Sequence, residues 1–143
     1  MRMPLPQRGN ARSLPSGRAT NAVVMTVTVV AGFFFSVLGL WAFFWPSSFY
    51  ERIALFPPYN YHFLHDAGAF QFGLGATLLL ALYWRDALLV ALLGVGLGAA
   101  LHAVAHVLDR HLGGRSTDPL ILGILAFFIV AALRRWNVAR RES

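Results

Sequence analysis

The chain has 143 residues, of which 57% are hydrophobic and only 13% charged, a balance too apolar for an ordinary soluble domain of this size. There is no cysteine, which excludes disulfides, thiolate metal sites and cysteine nucleophiles and leaves the redox compartment open. The net charge of +6 comes from twelve arginines without a lysine; they flank the apolar runs instead of forming a basic patch, which argues against a nucleic-acid partner.

Residues 1–19 hold Pro4, Pro6, Pro15, Gly9, Gly17 and four arginines without hydrophobic periodicity, and read as a disordered basic cytoplasmic tail. The first apolar run, Thr20–Trp45, far exceeds the ~7–15-residue core of a signal peptide. No small-residue cleavage site ends it before the aromatic cluster Trp41, Phe43, Phe44 and Trp45, so it is predicted to be a retained signal anchor. Such clusters sit at headgroup level and mark the outer interface. Pro46-Ser47-Ser48 is expected to start a short interfacial helix with a serine cap, carrying Phe49, Ile53 and Phe56 at helical spacing until Pro57-Pro58 stops it.

Three further runs follow, Ala67–Trp84, Ala87–Leu108 and Pro119–Trp136. Each has at least ~18 largely apolar residues, enough to cross a hydrocarbon layer ~30 Å thick as a helix. The segment Tyr59–Asp66 leads into the first of them. Arg85-Asp86 forms a tight turn that makes the second and third spans antiparallel neighbours. Thr117 or Asp118 is expected to cap the last span, with Pro119 in its first turn. The expected architecture is an all-α integral membrane four-helix bundle over residues 20–136, followed by a basic cytoplasmic tail at 137–143. Arg2, Arg8, Arg12, Arg18, Arg85, Arg134, Arg135, Arg140 and Arg141 fall on one side; only Arg52, Arg110 and Arg115 fall on the other. Nine against three places both termini in the cytoplasm, for a multi-pass protein of the inner (plasma) membrane whose first partner is the lipid bilayer.

All five histidines, His62, His65, His102, His106 and His111, fall at the outer end of these spans. His102 and His106 share a helix face at four-residue spacing inside an apolar run. His102 lies ~9 Å below Leu108, too deep for an imidazole to reach headgroup water. An ionisable side chain there is costly and marks a candidate site. The predicted topology brings His62, His65 and Asp66 at the start of the second span toward this pair. Asn60 and Asp66 would orient the histidines, and Gln71 would sit at the depth of His102. His106 can meet Asp109 or Arg110 on the next turn. Ala69 and Gly73 below His62 and Asp66, and Gly94 and Gly98 below His102, would let the two faces approach closely.

Four readings of this constellation compete. The histidines are helix glue, each satisfied by a neighbouring polar group. They hold a metal ion, through His102 and His106 with Asp66 and His62. They line a small-ligand or quinone pocket in which histidine and aspartate bind or move protons. Or they ligate haem, which needs a histidine from the second span, since His102 and His106 cannot take opposite axial positions. Gly94-x-Gly96-x-Gly98 imitates a nucleotide loop but lies in mid-span, where helix packing accounts for it. Ser47, Ser116 and Thr117 belong to no placeable triad.

The elements Phe49-Tyr50, Pro58-Tyr59-Asn60-x-His62, Asp66-x-Gly68 and His102-x-x-x-His106 resemble those of small four-span membrane proteins, frequent in actinobacteria, within the broad DoxX-like group. The similarity covers roughly Phe49–Leu108. In those relatives an arginine usually precedes the aspartate, where this chain has His65. The resemblance implies a four-helix fold and the site residues Asn60, His62, Asp66, His102 and His106. It also implies a membrane partner of sulfur- or quinone-linked redox enzymes, without supplying a reaction; the small-residue faces permit a homo-oligomer but are equally explained inside one bundle.

Overall fold

The computed structural model describes residues 17–141. Among these, five α-helices follow one another: α1 (Gly17–Phe44), the short α2 (Pro46–Arg52), α3 (Tyr61–Tyr83), α4 (Leu88–Leu108) and α5 (Asp118–Arg141). A turn of 3-10 helix at Arg85–Ala87 joins α3 to α4. Each of the four long helices contains a segment of 21 to 23 residues long and apolar enough to cross a membrane, and the described residues are all-α. The predicted tail at residues 1–19 lies outside the described residues up to position 16; α1 already begins at Gly17. At the other end α5 runs on through Arg141, so most of the segment expected as a tail is helical.

The helices pack as two tight antiparallel pairs. The α1–α3 contact is the most extensive, followed by α4–α5; α1 touches α5 more lightly, and α3 touches α4 more lightly still. The reason lies in the glycines. A Cβ at Gly68 would stand 2.7 Å from the Phe43 amide nitrogen and 2.8 Å from the Gly39 carbonyl oxygen, so α1 and α3 meet backbone to backbone. Gly32 and Gly75 repeat this approach two turns further on. In a lipid phase there is no hydrophobic drive between helices, and close van der Waals approach would decide which helices pair. The second and third spans are joined by a tight turn, yet they touch far less than the helices within either pair.

The main core draws on all four long helices and runs from the end that carries Arg85–Ala87, here the turn end, to mid-bundle. Leu78, Leu88, Leu92 and Ile129 are fully buried there, with Val24, Phe35, Val95, Ala126 and Trp136 around them. The opposite end, here the loop end, has a smaller apolar cluster of Ala42, Phe49 and Leu64, drawn from α1, α2 and α3 alone. Neither Ser47 nor Ser48 caps α2. Trp45 takes the capping position without a side-chain bond and Pro46 fills the first turn, where its missing N–H costs nothing. The two hydroxyls serve instead as tertiary contacts, Ser48 Oγ accepting from Trp41 Nε1 and Ser47 Oγ bonding Tyr59 Oη.

Candidate functional site

The inner face of α4 runs through Leu88, Leu92, Val95 and Ala99, all buried. At about 3.6 residues per turn the same face continues into His102 and His106. His102 is nevertheless exposed, because the bundle does not close around it at the loop end. His106, one turn on, keeps only 17% of its side chain exposed.

The two rings touch through Nε2, 3.1 Å apart, so one nitrogen donates and the other accepts. His106 Nδ1 faces Asp118 Oδ2 at 3.9 Å, an ion pair whenever His106 is protonated. The carboxylate favours a proton on the nitrogen that faces it. In the tautomer with Nδ1–H on His106, its Nε2 is the acceptor and His102 Nε2 holds the shared proton. His102 Nδ1 is then left as a lone-pair nitrogen without a partner among the described residues. The result is a chain from Asp118 through His106 to His102, ending in a bare acceptor on an exposed face.

The surrounding loops hold this chain in place. Phe56 sets its ring edge-on to His106, with centroids 5.3 Å apart. The loop after α4 reaches over to the Leu55–Phe56 segment: Gly114 N–H donates to Leu55 O at 2.9 Å, and the Arg115 guanidinium donates to Arg52 O. Gly113 and Gly114 both have positive φ, and a Cβ at Gly114 would stand 2.7 Å from Phe56 Cζ, so this crossing requires glycine. Asp118 does not cap α5. Its Oδ2 accepts from the Arg115 N–H at 2.7 Å, outside the helix, and turns the carboxylate toward His106.

The structure does not bring the other predicted residues to this chain. His62 and Asp66 pair with each other at 3.5 Å on α3, with 86% and 56% of their side chains exposed. By helical register they lie away from Leu78 and the bundle interior. The close approach of Gly68 and Gly75 to α1 fixes that rotation. His65 is stacked on Phe43 at 4.9 Å and tilted against Tyr61 at 4.2 Å. Asn60 spends its Oδ1 on the Phe63 N–H at 3.0 Å and is the cap of α3, not an orienter of histidines. Gln71 is half-buried on the interior side of α3 but forms no hydrogen bond among the described residues. Gly73, Gly94 and Gly98, expected to bring the two polar faces together, stand in open space: a Cβ at any of them would meet nothing within 4 Å.

No group of three or more His, Asp or Glu side chains is placed to hold a metal ion among the described residues. The expected donor set of His102, His106, Asp66 and His62 is therefore split between two helices. Haem fits no better, since neither α3 histidine faces His102. The sequence offers Asp109 or Arg110 as the neighbour of His106, whereas the structure supplies Asp118. The available signal is the short loop, which sets the first turn of α5 against the last turns of α4.

No protein-family profile matches the chain, and no curated protein or solved structure is significantly similar to it.

Proposed function

We propose that this chain is a multi-pass protein of the inner (plasma) membrane, with both termini cytoplasmic, that binds a small lipid-soluble ligand of quinone or phenol type at His102. The arginine distribution supports the orientation. The observation that carries the ligand reading is the exposed His102 on the interior face of α4, backed by His106 and Asp118. A ligand hydroxyl would donate to His102 Nδ1. A proton taken up there can be balanced through His106 by the Asp118 carboxylate. An accessory role beside a membrane redox enzyme, as the DoxX-like resemblance implies, belongs to this proposal. His106 itself supports a second, structural role, because it ties α4 to α5 through Asp118 and to the loop through Phe56.

Titration of the detergent-purified protein with a short-chain benzoquinol, read by ligand-detected NMR, tests the proposal. His102→Gln should weaken saturable binding about three- to tenfold, the value of one hydrogen bond, and leave the melting temperature unchanged. His106→Gln should weaken binding and also lower the melting temperature. Equal affinity in wild type and His102→Gln would overturn the ligand reading. A stability loss in both variants without any binding would leave the histidines as helix glue.

A further inference from the structure

Two surface depressions share Pro119 in their lining. The first, of about 590 Å³, lies at the loop end between the last turn of α4 and the following loop. His106, Arg110, His111 and Arg115 line it, and no carboxylate does. Arg110 and His111 have no side-chain partner among the described residues. The Arg115 guanidinium is held by the neutral Arg52 carbonyl, which orients it without cancelling its charge. The Asp118 carboxylate already accepts from the Arg115 backbone and faces His106.

The second cavity, of about 500 Å³, is an apolar groove along α5, walled by Leu120, Ile124, Phe127 and Phe128. Gly123 forms its floor, and a side chain there would meet nothing within 4 Å. From Pro119 to Phe128 the groove is about 13 Å long at ~1.5 Å per residue. That is close to half of a ~30 Å hydrocarbon core, or one leaflet.

Neither cavity alone selects a ligand, but joined end to end they describe an anionic head above an apolar chain. We propose that they hold one anionic phospholipid. Its phosphate lies against Arg110, His111 and Arg115, and one acyl chain runs down α5 over Gly123. Guanidinium groups pair with phosphate through parallel N–H donors, and basic pockets at helix ends select anionic headgroups. A free phosphate would satisfy the head cavity and leave the groove without a role. A zwitterionic lipid would fill the groove and leave the basic lining uncompensated. His106 is shared with the Asp118–His106–His102 chain, but Arg110 and Gly123 lie outside it, so variants at these two positions read this site separately from the ligand reading at His102.

The test is native mass spectrometry of the delipidated full chain with phosphatidylglycerol, phosphatidylcholine or inorganic phosphate. Phosphatidylglycerol should bind at least about fivefold more tightly than phosphatidylcholine, and Arg110→Gln should remove about that factor. Gly123→Leu should fill the groove and weaken phosphatidylglycerol while the helical circular dichroism stays unchanged. The proposal is overturned if phosphatidylcholine binds as tightly, if inorganic phosphate competes with the lipid at equal concentration, or if Arg110→Gln retains wild-type affinity. Arg110 is exposed on the loop, so that variant reads the site even where Gly123→Leu disturbs the helix.

Discussion

At the turn end, the interior face of α4 packs against α5 and more lightly against α3, and Leu88 and Leu92 are wholly buried. At the loop end, the same face presents His102 and His106, and the apolar cluster there includes no residue of α4. One continuous helix surface is therefore core at one end and site at the other. The difference is set by neighbouring helices more than by α4 itself. α1 and α3 are held together along their length by Gly32, Gly39, Gly68 and Gly75, and this pairing draws α3 toward α1 and away from α4. Small residues that meet a backbone decide the packing; small residues that meet nothing leave a face open.

The sharpest way to break this comparison is to block the α1–α3 approach. Gly68→Leu places a side chain where a Cβ alone would stand 2.7 Å from the Phe43 backbone. Backbone cannot yield as a side chain can, so the expected loss is about 3 kcal/mol or more. Unfolding by SDS titration, followed by circular dichroism, reads it directly. A Gly68→Leu protein as stable as wild type would show that the α1–α3 pair does not hold the bundle.

Much of this architecture was legible in the sequence. Four apolar runs of spanning length, the short helix after the first, and the start of α3 beside Asn60 all follow from periodicity and punctuation. The partnering was not legible. Gly39, Gly68, Gly73 and Gly98 look alike in sequence, and only the rotation of each helix decides which of them meets a neighbour. The same ambiguity governed the site. His62 with Asp66 and His102 with His106 are equivalent i, i+4 pairs on paper, but α3 turns the first pair outward and α4 turns the second toward the interior. Asp118 went unrecognised because a helix-starting aspartate reads as a cap, and only the loop geometry shows its carboxylate aimed at His106.

A smaller effect sharpens the comparison at the start of α3. Asn60 sits among the predicted site residues but acts as a cap, so Asn60→Ala should cost about 1 kcal/mol of stability. Asn60→Asp should restore most of it, since aspartate accepts the same N–H. Thermal unfolding of the pair separates the roles: a ligand-binding Asn60 would lower benzoquinol affinity in both variants, whereas a cap lowers only the stability of the alanine variant.

The smallest expected change comes from Gly98→Leu, on α4 one turn before His102. Nothing lies within 4 Å of a Cβ there, so the side chain enters open space, and leucine is the better helix former by roughly 0.5–1 kcal/mol. The unfolding midpoint should stay level or rise slightly, against the collapse expected for the same substitution at Gly68. A fall at Gly98 as deep as that at Gly68 would mean that this face is covered in the folded protein by a second copy. Size-exclusion chromatography of the two variants then decides the matter, because loss of a dimer would accompany the fall at Gly98. A level midpoint with an unchanged elution volume keeps the loop end open in the single chain, with His102 on the open face.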